Sequence, residues 1–284
     1  VFERVAIVGV GLIGGSLGLA LRERRLARSI VGIGRNQATL DRALARHAIG
    51  EAFTEVGPGV AGADLVVLCT PISRILHDLE ALAPVLAPGA VITDVGSTKS
   101  EIAAAGDRCY PDGRFVPGHP MAGSERSGVD AARAELFMEA TWALTPTAQT
   151  DAEALSNVRS LAAAVGARVV RLTPAEHDEA VAVTSHLPHV LAYALAAVAG
   201  SRAGGSPHLY DLAAGSFTSG TRVAHSDPAL WREIALSNRD ALLSALRESA
   251  DQTEAVIAAL EARDGDALET AFRRGYEAVE KSPA

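Results

Sequence analysis

Hydrophobic and polar positions follow two different rhythms along this chain. Up to residue 172, short β-branched runs recur: "RVAIVG" (4–9), "SIVGIG" (29–34), "LVVLCT" (65–70), "AVITDVG" (90–96), "RFVPG" (114–118), "TWALTP" (141–146) and "ARVVRL" (167–172). Between them, "ISRILHDLEALAPVL" (72–86) and "AEALSNVRSLAAAVG" (152–166) repeat apolar residues at spacings of three and four, the signature of amphipathic helices. Strands alternating with helices predict a parallel sheet covered on its faces. After Thr173-Pro174 the strand rhythm stops. Pro174 suits a first helical position with Thr173 as its cap, and the remainder is Ala- and Leu-rich with helical periodicity. The pattern divides the chain into an α/β half, 1–172, and an all-α half, 173–284. "AGSRAGGSP" (199–207) and "AAGSFTSGTRVAHSDP" (213–228) read as loops within the latter.

The first strand runs into "VGVGLIGGSLG", which fits G-x-G-x-x-G with Gly9, Gly11 and Gly14. Its position, after a strand and opening a helix, marks a dinucleotide site. Gly9 permits the turn, Gly11 lets a pyrophosphate approach the backbone, and Gly14 allows close helix–strand packing. Leu12 and Ile13 complete this set of candidate cofactor-binding positions. The α/β half is therefore expected to be a Rossmann-type doubly wound sheet. An NAD-preferring site usually carries an acid at the end of the second strand. Here Gly34 stands there and Arg35 follows, a pair that accommodates a 2′-phosphate and tilts the expectation toward NADP over NAD; Arg35 stacking on adenine is the alternative. Thr70 and Pro71, at the end of another strand, are expected to border the nicotinamide side.

Composition narrows the partners. The net charge is −8 with no basic block, which speaks against nucleic acid and against a membrane surface. The uncharged run 5–21 looks like a signal-peptide core, yet it holds five glycines, with no basic n-region and no A-x-A site before Arg22. Two cysteines, Cys69 and Cys109, form neither a disulfide framework nor a metal spacing. A cytoplasmic protein is expected.

Further motifs crowd the expected sheet rim and the helical half: "DVGSTK" (94–99), "GHPMAGSERSG" (118–128) on a loop, "SHLPH" (185–189) and "GTRVAHSDPALW" (220–231). With the glycine fingerprint and in this order, they make the chain resemble the prephenate/arogenate dehydrogenase family of tyrosine biosynthesis, over nearly its whole length. No mutase helices precede the motifs and no regulatory module follows them, so the resemblance is to the single-function form. It implies oxidative decarboxylation of prephenate and/or arogenate with hydride transfer to NAD(P), a homodimer built on the helical half, and tyrosine as a possible inhibitor.

The substrates are cyclohexadienols with a C4 hydroxyl and a ring carboxylate. Their oxidation needs a neutral base, a hydroxyl that orients the substrate, and a cation for a carboxylate. Histidine suits the base near neutrality and the planar arginine fork suits the anion. By motif position the resemblance makes His119 the catalytic base and Ser97 its companion hydroxyl, with Thr98 the competing candidate. It makes Arg222 the carboxylate ligand and His189 a pocket residue. Ser124 and Glu125 line the same loop as His119. Trp231 either closes the pocket from the neighbouring subunit or packs within its own helix. Because Arg222 and His189 lie in the helical half, substrate is expected between the halves. His186 reads as a structural hydrogen-bonder, and Pro188 should kink its helix. His177 falls roughly opposite His186 on a straight helix, which argues against a metal site. One alternative is a β-hydroxyacid or imine-type dehydrogenase. It usually relies on a lysine in the long linking helix, where residues 174–200 have none. The other, a non-catalytic NADP-sensing protein, has no need of converging His, Ser and Arg.

Overall fold

The computed structural model describes residues 1–124 and 126–281. Strands β1 (Phe2–Val8), β2 (Ala27–Ile33), β3 (Glu51–Phe53), β4 (Leu65–Leu68), β5 (Val91–Asp94) and β6 (Phe115–Val116) form a parallel sheet in the order β3-β2-β1-β4-β5-β6. This is the doubly wound order of dinucleotide-binding domains. Successive residues of β1 feed opposite faces: Val5 and Ile7 join one core, Ala6 and Val8 the other. Burial on both faces explains why the strands read as continuous apolar runs. Helices α1 (Leu12–Glu23) and α2 (Gln37–Ala45) cover the first face; α3 (Val56–Val60), α4 (Ile72–Leu82) and α5 (Ser100–Cys109) cover the second.

"RFVPG" is not the single strand its composition suggests. The chain leaves the large sheet after Val116, turns at Pro117 and starts a second sheet with β7 (Gly118–Pro120). β7 runs antiparallel to β8 (Thr141–Leu144), which is parallel to β9 (Arg168–Arg171) across helix α6 (Ala152–Ala164). His119 therefore sits in a strand, paired with Ala143, and not in a loop. Pro120 is tolerated there because β7 is an edge strand. The short edge strand β3 is not legible in "EAF".

The helical half opens with α7 (Pro174–Val181), closed at its start by a full capping box between Thr173 and Glu176. A π-helical turn, Ala182–His186, connects it to α8 (Leu187–Ala203). The wide turn has a cause: Pro188 supplies no N–H to the preceding turn. Helices α9 (Gly215–Thr221), α10 (Pro228–Ser237), α11 (Arg239–Ala262) and α12 (Gly265–Glu280) follow. The continuous segment Pro174–Ala203 is long and apolar enough to cross a membrane by length and composition, with an 18-residue window of mean hydropathy 1.5. It also carries buried His177, Asp178 and His186, whose polar contacts within the protein are described below.

Candidate active site

The nucleotide side is built by the β1–α1 turn. Gly9 has φ +95°, and a Cβ there would lie 2.7 Å from the Cys69 carbonyl oxygen. A Cβ on Gly14 would collide with the Gly9 carbonyl, whereas one on Gly11 meets nothing within 4 Å. Gly9 and Gly14 are thus required by packing, and Gly11 faces open space at the N-cap of α1. No acidic residue occupies the first turn of that helix, leaving its N–H groups and dipole available to an anion. A cavity of about 560 Å³ lies over this turn, lined by Gly9, Gly11, Gly34, Arg35, Thr70 and Pro71. Leu12, Ile13 and Gly14 do not line it. Leu12 and Ile13 are half-buried and pack against the core. Residues that the sequence pattern did not single out complete the lining: Asn36, Thr39, Ser73, Arg74 and Glu233. Burial pushes the Cys69 thiol up, so it stays protonated beside the turn.

A second cavity, of about 650 Å³, lies between the halves and gathers Ser97, His119, Ser124, His189, Arg222 and Trp231. Thr98 is not among them: it is buried, its hydroxyl 3.0 Å from that of Ser237, so the register of "GSTK" presents Ser97. Trp231 reaches the cavity of its own chain, stacked on His189 with ring centroids 3.6 Å apart. Glu125, expected on the same loop as His119, lies outside the described residues. Ser127, Ser185, His225 and Asp227 also line the cleft; they fall within the quoted motifs, which gave them no role of their own.

His119 is held from two directions. Behind it, the buried Lys99 ammonium is ion-paired with buried Asp94 and donates to the Gly118 carbonyl at 2.7 Å. Asp94 in turn accepts from the amides of Gly96 (2.7 Å) and Gly118 (3.1 Å). A Cβ at Gly118 would lie 3.0 Å from Trp142 Nε1 and 3.1 Å from the Asp94 carbonyl oxygen, so a larger residue would crowd this clamp. Burial lowers Lys99 from the ordinary ammonium range, and Asp94 opposes that shift.

On its other side His119 Nδ1 lies 2.9 Å from His177 Nε2, and His177 Nδ1 lies 2.8 Å from Asp178 Oδ1. The Asp178 carboxylate also accepts from the backbone N–H groups of Lys99 (2.7 Å) and Ser100 (2.8 Å). Burial raises this carboxyl, but those hydrogen bonds outweigh it and leave Asp178 below its usual range. Burial, and then the proximity of His177 and Lys99, hold His119 well below the usual histidine range, so its ring is neutral. His186 is pushed down to about 4, chiefly by burial, and lies 3.2 Å from the Asn238 side-chain amide. His189 donates through Nδ1 to the Ser185 carbonyl at 2.8 Å. Burial lowers its pKa and the nearby Arg222 guanidinium adds to that.

A dinucleotide cavity thus adjoins a cleft that offers a neutral imidazole, a hydroxyl and a guanidinium. Family models decide the relationship: residues 17–171 match the prephenate dehydrogenase nucleotide-binding domain and residues 173–274 the prephenate dehydrogenase dimerization domain. The chain belongs to the prephenate dehydrogenase family. It is 35% identical over 98% of its length to the cyclohexadienyl dehydrogenase of Zymomonas mobilis, 95% of which is covered. Among solved structures, the prephenate dehydrogenase of A. aeolicus, in complex with hydroxyphenyl propionate and NAD+, matches with a TM-score of 0.90 at 30% identity, over 99% of this chain and 98% of that one. Synechocystis arogenate dehydrogenase matches with a TM-score of 0.82 at 34% identity, over 98% and 99%. His177 and Asp178, which belong to none of the quoted motifs, are the family site's unexpected neighbours here.

Proposed function

We propose that this chain oxidises and decarboxylates a cyclohexadienol, prephenate and/or arogenate, with NAD(P) as the acceptor, in tyrosine biosynthesis. The observation that carries the reading is the convergence of His119, Ser97, His189 and Arg222, from both halves, on one cleft next to a dinucleotide cavity. The cofactor, when bound, accepts the hydride that leaves C4. His119 takes the C4 hydroxyl proton, for which its lowered pKa keeps it neutral, and the Ser97 hydroxyl orients that group. Arg222 binds a carboxylate through its planar fork, and loss of carbon dioxide completes aromatisation. Positioned proton transfer of this kind contributes about 10²–10⁴-fold in rate.

NADP is the cofactor this reading favours. Arg35, Asn36 and Thr39 line the cavity at the end of β2, where Gly34 stands in place of the acid that would repel a 2′-phosphate. The working unit is a homodimer. α12 packs on α11 with no buried residue of its own, and exposes Phe272, Tyr276 and Val279 at helical spacing. A second copy of the chain is the cover we assign to that stripe.

Purified protein assayed at 340 nm with prephenate and with arogenate, each against NAD and NADP, tests the activity. A rise with at least one pair is expected, and no rise with any pair overturns the reading. Arg35→Ala should raise the KM for NADP tenfold or more while leaving that for NAD within about threefold, on the order of one charge-assisted contact. Equal effects on both cofactors would point to Arg35 stacking on adenine instead.

A further inference from the structure

Resting on His119 as the base, the geometry points to a reason why its cleft-facing nitrogen is the one without a proton. An imidazole accepts a proton only at its bare nitrogen, and a neutral ring has one bare nitrogen of two. In water neither choice is enforced. Here the choice is propagated from a carboxylate two side chains away.

The chain of constraints begins at Asp178. Its ionised carboxylate only accepts, and it already accepts from the amides of Lys99 and Ser100. His177 Nδ1, 2.8 Å from Oδ1, must therefore carry a hydrogen and donate it. With His177 neutral, its Nε2 is then the bare nitrogen and can only accept. The partner 2.9 Å away is His119 Nδ1, so His119 must carry its hydrogen there. The remaining nitrogen, His119 Nε2, is left bare on the side of the cleft. We propose that His177 and Asp178 are positioning residues that hold His119 as its Nδ1–H tautomer, leaving Nε2 as the proton acceptor.

Geometry supports a device of this kind over incidental packing. His177 is buried to 1% and Asp178 to 5% exposure. A buried polar pair that lacked partners would cost stability, and each hydrogen bond here is satisfied in one direction only. Asn238 donates to the Asp178 backbone carbonyl at 2.7 Å, fixing the α7 turn that carries both residues. The capping box at Thr173 fixes the start of the same helix. The ring planes of His119 and His177 meet edge-on at 68°, which directs one nitrogen of each ring at the other.

The experiment reads the tautomer directly. The full-length protein, ¹⁵N-labelled at histidine, is examined by long-range ¹H–¹⁵N correlation above pH 7.5, with His119→Asn used to assign the His119 signals. A protonated Nδ1 and bare Nε2 on His119 are expected. His177→Asn keeps a group to meet Asp178 and removes the acceptor for His119. It should let the Nε2–H form appear and lower kcat by about 10²-fold or more, with the substrate KM within about threefold. His177→Gln, whose side-chain oxygen can accept from His119, should restore most of that loss. It also serves where His177→Asn fails to fold. An Nε2–H tautomer in the wild-type protein overturns the proposal. So does a His177→Asn enzyme that folds, binds cofactor and turns over at the wild-type rate. Failure of the underlying reading looks different: the tautomer would be as stated, yet His119→Asn would still turn over normally.

Discussion

Replacing Lys99 by methionine probes the clamp beneath the base. The ammonium and its partner Asp94 are both fully buried, so the substitution leaves a carboxylate inside the protein without its counter-charge. Breaking one half of a buried pair costs about 3–5 kcal/mol. The lower end fits better here, because Asp94 keeps the amides of Gly96 and Gly118. The Gly118 carbonyl loses its Lys99 donor as well, a hydrogen bond worth about 1 kcal/mol. Lys99→Met should therefore destabilise by about 4 kcal/mol. At about 2–4 °C per kcal/mol for a chain somewhat under this size, the melting temperature should fall by about 10 °C. Urea unfolding followed by tryptophan fluorescence measures the loss, since Trp142 is buried against Gly118. Adding Asp94→Asn removes the stranded charge and should recover part of it. A single variant within about 1 kcal/mol of wild type would refute the reasoning, as would a double variant clearly worse than the single one.

Acid should weaken the fold as well as the activity. His186 titrates near 4 and His119 well below the histidine range in the folded state, so between an unfolded value of about 6.5 and those lowered values only the unfolded chain binds the protons. Stability is then unaffected by these rings above about pH 7 and declines as pH falls, by up to about 3 kcal/mol for His186 alone by pH 4; urea midpoints at pH 7.5, 6 and 5 that do not move would contradict this. Ser97→Ala should lower kcat by about tenfold or more while Thr98→Val, whose hydroxyl meets Ser237 and not the cleft, should leave steady-state kinetics near wild type. Phe272→Glu with Tyr276→Glu should shift the protein from dimer to monomer in light scattering, and a dimer that survives both substitutions would place the interface elsewhere.

The helix–strand alternation made the large sheet legible, because strands buried on both faces must be apolar throughout. What it concealed were features set by distant contacts. His119 is in a strand because β8, more than twenty residues later, pairs with it; the local breakers Pro117, Gly118 and Pro120 argue for a loop. His177 lies 58 residues from His119 in sequence, and helical phase places it only relative to its own helix. The π-helical turn between α7 and α8 shifts even that phase. Motifs located the cleft and most of its lining. They could not orient Thr98 inward, since adjacent hydroxyls in "GSTK" differ only in which way the backbone turns.

The rigid placement of His119 separates two tasks along the chain. β7 ends at Pro120; the Met121 amide donates to the Thr141 carbonyl and the Ala122 amide to the Pro120 carbonyl, and Ser124 and Ser127 further on line the cleft. The base is anchored by the sheet and by Lys99, so changes in the length or composition of the stretch that carries those serines need not move it.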